Sequence, residues 1–361
     1  MRVFRLHDMK AIVPAGMLLF LMVSVSSLAN APASTYKLAY LTADQTGKAP
    51  NVDPNLINPW GISFSPTGPF WVSDNNSGKS TLYNSTGVPQ STIVTIPPAS
   101  GTGLGSPTGT VYNSTGNFVI SQGGKSGAAS FLFDTEDGTI SGWSPSVNAT
   151  NAVIAVNNSA SGDSYKGLEI ANNGTAYHLY AADFFNNAVK VFDVSFNEVT
   201  LSGTFTDPNL PSGYAPYNIR DIGGTLYVAY AKQNSTKTDA MPCAGCGYVD
   251  TYDLNGNFLK RFASQGKLNA PWGLAQATKS FGTFSNLILV GNLGDGKITG
   301  FSTAGVNKGQ LSSAPGKPIA IPGLWGLMFG NGGSGGTLNV LYFTAGPNAY
   351  AHGRFGSITL Q

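Results

Sequence analysis

The chain has 361 residues, 20 of them basic and 18 acidic, so charged side chains make up 11% against roughly 25% in an average soluble domain. Gly contributes 46 residues and Pro 21, a turn-rich balance that argues against a helical bundle. Apolar segments recur to the C-terminus and exclude global disorder, while a formal net charge of +2 supplies no footprint for nucleic acid.

Residues 1–31 read as a secretory signal. Arg2, Arg5 and Lys10 form a positive region, Ala11 to Val25 an apolar stretch, and Ala29-Asn30-Ala31 a small-x-small cleavage pattern. The stretch is short for a bilayer span, which needs about 20 residues, so an uncleaved anchor is the weaker reading. Cleavage after Ala31 removes Arg2, Arg5, Lys10 and Asp8, leaving 17 basic and 17 acidic residues. A secreted or periplasmic protein with no membrane span and no nucleic-acid partner is expected.

Tyr36 to Leu41 comes next, a strand-like run without a unit of its own. After it one phrase recurs: Asn58-Pro59-Trp60-Gly61-Ile62, Ser106-Pro107-Thr108-Gly109-Thr110, Ser164-Tyr165-Lys166-Gly167-Leu168, Ala215-Pro216-Tyr217-Asn218-Ile219, Ala270-Pro271-Trp272-Gly273-Leu274 and Gly323-Leu324-Trp325-Gly326-Leu327. Starts at 58, 106, 164, 215, 270 and 323 lie 48 to 58 residues apart, close to the roughly 40–50 of a four-stranded propeller blade. Short β-branched or aromatic runs fill the units, among them Phe70-Trp71-Val72-Ser73, Leu179-Tyr180-Ala181-Ala182 and Leu226-Tyr227-Val228-Ala229. Several lead into hairpin turns, such as Asp183-Phe184-Phe185-Asn186-Asn187 and Gly291 to Gly296. In the second unit, Phe118-Val119-Ile120 and Phe131-Leu132-Phe133 compete for the second strand.

The pattern predicts an all-β domain over residues 32–361, a six-bladed β-propeller. An open ring would expose strand edges, so Tyr36–Leu41 is expected to pair beside Ser357–Leu360 and close it. Gly61, Gly109, Gly167, Gly273 and Gly326 fall on the innermost strands, where backbones crowd. Asn218 replaces glycine in the fourth unit, as a residue that tolerates positive φ.

Cys243-Ala244-Gly245-Cys246 holds both cysteines. No helix follows to support thioredoxin-like chemistry, and His178 and His352 alone do not complete a zinc site after signal removal. A local disulfide across a type II turn, with Gly245 at positive φ, is expected.

Asp53 to Gly61, Glu136 to Trp143, Leu268 to Gly273, Gly291 to Gly296 and Phe343 to Pro347 together resemble a family of exported, mostly bacterial proteins, over nearly all of the chain after the signal. Some of its members carry a PEP-CTERM sorting tail, where this chain closes on Ser357-Ile358-Thr359-Leu360-Gln361. The resemblance implies a six-bladed propeller akin to NHL-repeat proteins and carries no catalytic residues. Cys243 to Cys246 departs from it, since its members tend to have a Gly-rich turn there.

The repeat column Trp60, Thr108, Lys166, Tyr217, Trp272 and Trp325 is the candidate ligand site. Superposed units would place these side chains around one opening. Tryptophans at a repeat phase also wedge between blades, while Lys166 and Asn218 would supply polar contacts to a small molecule. Lys166 is expected to reach solvent or to pair with Glu169. Asp134, Glu136 and Asp137 read as a solvated hairpin, and Asp74, Asp183 and Asp295 as recurring turn residues. Gly330 to Gly336 matches two glycine motifs without the helix either requires. No catalytic residue or metal site stands out, so a non-enzymatic module binding a small molecule or extracellular protein is expected. The alternative is a hydrolase of lactonase or phosphotriesterase type with an axial calcium, although only Glu136, Glu169 and Glu198 remain as glutamates after the signal.

Overall fold

A computed structural model describes Met1 and residues 34–361; the predicted signal and its cleavage site lie outside the described residues apart from Met1. Each recurring phrase opens an inner strand: Pro59–Phe64, Pro107–Tyr112, Tyr165–Asn172, Tyr214–Asp221, Pro271–Gln276 and Leu324–Phe329. Each inner strand lies against the next, and the sixth returns to the first. From each, antiparallel strands step outward, giving six blades around one axis. The fold is a six-bladed β-propeller, and among the described residues only three short 3-10 turns are helical.

Side-chain alternation builds the core between blades. In the second strand of blade 4, Leu226, Val228 and Tyr230 pack toward blade 3, while Tyr227 and Ala229 pack toward blade 5. Such a strand is buried on both faces, which is why it reads as an unbroken apolar run. Six apolar layers separate successive blades, and a seventh cluster lies on the axis. The tryptophans that wedge between blades are Trp71 and Trp143, with Trp71 stacked 4.1 Å from Phe131.

Blades 1, 2, 4 and 5 each have four strands. In blade 2 the second strand is Phe131–Thr135, and Val119–Gln122 pairs with Lys125–Ala128 in an inserted hairpin. That insertion accounts for the longest repeat spacing. Blade 3 departs from the four-strand expectation: it has three strands, and its outer edge is covered by a bridge between Phe192 and Glu198. Blade 6 is completed from the other end of the chain. Tyr36–Ala43 pairs antiparallel with Arg354–Leu360, from Tyr36 opposite Leu360 to Ala43 opposite Arg354.

The glycine column answers to close approach. A Cβ on Gly61 would lie 2.5 Å from the Thr108 carbonyl oxygen, and one on Gly273 or Gly326 would lie 2.7 Å from the next inner strand. None of these glycines has positive φ, and neither does Asn218, which corrects the expectation of a left-handed backbone there. Asn218 fits because its side chain turns across to the next blade, where Nδ2 donates to the Trp272 carbonyl at 2.8 Å.

Cys243 and Cys246 are disulfide-bonded with their Cα atoms 5.2 Å apart. Cys246 N–H donates to the Cys243 carbonyl at 2.9 Å, and Gly245 has φ +78°, as the turn requires. So short a loop contributes about 2 kcal/mol in the chain-entropy model. It staples the segment between Leu226–Lys232 and Tyr248–Tyr252, which carries Asp239 to the mouth of the ring.

Candidate functional site: the mouth of the propeller

The inner strands begin at one end of the axis, and there the column side chains meet each other. Trp60 and Trp325 stack with centroids 3.6 Å apart, and Trp272 stands edge-on to both at 6.2 and 5.8 Å. Tyr217 packs against Trp60, Trp325 and Phe184. These rings are nearly fully buried. The column therefore neither wedges between blades nor lines an open ring; it closes the axis as an aromatic floor. Thr108 is buried beneath the mouth, donating to Asp134 at 2.8 Å and sharing its hydroxyl with the Tyr165 carbonyl at 3.0 Å.

Lys166 is 1% exposed, with its ammonium bonded to Glu136, 3.9 Å from Asp239 and 5.5 Å from the centre of the Trp60 ring. Neither expectation for it holds: it does not reach solvent and does not pair with Glu169. Glu169 lies toward the far ends of the inner strands, 3.5 Å from Arg220 and accepting from Asp221 N–H at 3.1 Å.

Above the floor is a cavity of about 370 Å³. Its walls are the turns after the second strands, carrying Asn75, Glu136, Asp239 and Tyr350, and its base shows Trp60, Tyr217 and Trp325. Asn58 knits it together, donating from Nδ2 to Asn75 at 3.2 Å and to Asn76 at 3.1 Å while Oδ1 accepts from Trp325 Nε1 at 3.0 Å. Tyr350 sits in a loop where Asn348, Ala349 and Tyr350 take φ of 56°, 50° and 67°. Each such non-glycine residue costs roughly 1–2 kcal/mol. The loop is held by Asn76 Nδ2 donating to the Tyr350 carbonyl at 2.9 Å.

Burial raises the Tyr217 phenol well above its ordinary value, and Tyr350, Asp239 and Glu136 add to the shift. Tyr350 is raised by burial and by Asp239. Both phenols are neutral donors at physiological pH. The sequence points to Trp60, Lys166, Tyr217, Trp272 and Trp325, and the structure brings them together. Asn218 stands apart, lining a constriction of about 20 Å³ with the glycine column, space for about one water. Lys166 and Asn218 thus do not converge on one ligand. Asp239, Tyr350, Asn75 and Asn76 escape sequence reasoning because they lie on turns of unequal length outside the repeated phrase.

The acidic hairpin is also different from its reading. Asp134 is fully buried, Glu136 faces the mouth, and Asp137 accepts from Thr135 and from Ala99 N–H. Burial raises the Asp134 carboxyl to about 6, against the Thr108 and Gly109 hydrogen bonds that lower it. Asp74 and Asp183 close the second strands of blades 1 and 3 from within, accepting from Thr81 at 2.7 Å and Ser164 N–H at 3.1 Å, and Asp295 occupies the corresponding turn of blade 5. Among the described residues no three His, Cys, Asp or Glu side chains gather as a metal site. In the channel, Asn218 Oδ1 is taken by Ile219 N–H and the Thr110 hydroxyl by Ser63. The constriction is lined by no Asp or Glu and by the Arg220 cation, whereas calcium takes six to eight oxygens.

No family model matches the chain. The uncharacterized protein R648 of Acanthamoeba polyphaga mimivirus is 33% identical over 332 residues, 90% of this chain and 80% of its own. The uncharacterized protein L690 of the same virus is 36% identical over 301 residues, 81% of this chain and 79% of its own. This chain belongs to the family of R648 and L690. Solved structures similar to it include a streptogramin B lyase, 13% identical with a TM-score of 0.49, over 90% of this chain and 98% of that one. A gluconolactonase from Xanthomonas campestris has a TM-score of 0.49 at 12% identity, over 85% of this chain and 89% of that one. The count of six blades rests on the strand pairing itself. Among the described residues, no helix is long and apolar enough to cross a membrane.

Proposed function

We propose that this protein is an exported binding module that takes a small molecule at the mouth of the propeller and performs no reaction on it. The observation that carries the reading is the 370 Å³ cavity with an aromatic floor and a wall of convergent amide, carboxylate and phenol groups. Size and mixed lining are those of small-molecule sites. The hydrolase alternative has less support, because no Asp or Glu lines the axial constriction and Arg220 does.

The test is a thermal-shift screen of low-mass polar compounds against the wild type and an Asp239→Ala, Tyr350→Ala double variant. Both residues are exposed, so the variant is expected to fold. A compound at about 100 times its dissociation constant stabilises by about 2.7 kcal/mol. At least one compound should raise the wild-type melting temperature by a few degrees and leave the variant unmoved. Compounds that stabilise both proteins equally, or turnover of a lactone or phosphotriester by pure protein, would reject the reading.

A further inference from the structure

Two features of the mouth narrow the chemistry of its ligand. The first is charge. Lys166 is the buried cation of the site, and it is already bonded to Glu136. Asp239 is 67% exposed and has no cation nearer than the Lys166 ammonium at 3.9 Å. Two carboxylates against one ammonium leave the walls net negative, so an anion is repelled and a cation drawn in.

The second feature is the aromatic surroundings. Lys166 shows that an ammonium is accommodated here, since its Nζ lies 5.5 Å from the Trp60 ring centre and 6.0 Å from that of Phe184. Ring faces attract cations through their quadrupole. Tyr350 is 37% exposed beside the cavity. Its strained loop holds that ring over the mouth, 5.9 Å from Trp325.

We infer that the mouth takes a small organic cation, with its ammonium between Asp239 and Tyr350. The inference rests on the reading of the mouth as a binding site. It adds the charge of what binds.

Three of the five tryptophans form the floor, so intrinsic fluorescence reports occupancy. The full-length protein is titrated with choline chloride, with the uncharged carbon isostere of choline, and with glucose. Choline should give a saturable change, and the isostere should bind at least about fivefold more weakly. Asp239→Asn should weaken choline by roughly tenfold, with a smaller loss at high salt, because the interaction is Coulombic and partly exposed. Tyr350→Ala should weaken it as well. An isostere or glucose binding as tightly as choline, with loss in Tyr350→Ala, overturns the cation and leaves the mouth as a site for neutral ligands. Choline binding unchanged in both variants places it elsewhere and also overturns the inference. No response to choline overturns it too; if the thermal-shift screen is equally silent, the binding reading falls with it.

Discussion

Lys166 shows how much a single residue's role depends on its partners. A buried ammonium is tolerated only when paired and hydrogen-bonded, and Glu136 meets that need from the neighbouring blade. Glu169 is nearer in sequence, but three residues along a strand is about 10 Å and reverses the face. Only the approach of two blades identifies the true partner. Asp134 is the second such case, and it yields a pH dependence. Its carboxyl titrates near 3.8 when unfolded and near 6 when buried in the fold. The folded state therefore holds the proton more tightly. The contribution to stability is fully present below about pH 4, declines as pH rises, and is lost above the folded value. A shift of this size corresponds to about 3 kcal/mol. Asp134→Asn is uncharged throughout. Its melting temperature relative to wild type should rise from pH 4 to pH 7 and then level off, and a constant difference across that range would refute the burial argument.

At the scale of elements, the recurring phrases located all six inner strands, because backbone convergence on an axis imposes glycine at the same phase in five of them, with Asn218 in the remaining one. The unit that read ambiguously, blade 2, is the one with an inserted hairpin. Two apolar runs of similar length look alike in sequence, yet Phe131–Thr135 is buried throughout while Val119 of the hairpin is exposed. The closing strand was legible as a run without a unit, and its pairing follows from edge protection. Tyr36 anchors it: the ring is buried against Phe281 at 4.8 Å and its hydroxyl donates to the Phe281 carbonyl at 2.8 Å. Deleting residues 34–43 removes that anchor and bares the edge of Arg354–Leu360. Loss of one large buried aromatic alone costs about 3–5 kcal/mol, and each kcal/mol moves the midpoint by about 1.5 °C in a domain this large. The melting temperature should fall by at least about 5 °C in calorimetry; an unchanged midpoint would mean the ring closes without this strand.

For the whole molecule, the proposal of export carries its own prediction. Cleavage after Ala31 leaves Tyr36–Ala43 intact, so the released protein keeps the strand that seals the ring. N-terminal sequencing of material recovered outside the cytoplasm should begin at Pro32, and a start beyond Tyr36 would contradict both the site and the closure. Blade number, inner-strand positions, the cysteine staple and the ring seal were all determined by sequence, because each is a local or periodic requirement that every unit repeats. The site was only half determined. Its floor sits in the repeat and could be read, whereas its walls come from turns of different blades that no spacing relates. Which carboxylate meets Lys166, which loop bends to present Tyr350, and that the aromatic column shuts the axis were decided by tertiary structure, since six chain segments distant in sequence converge at one point only when the ring is closed.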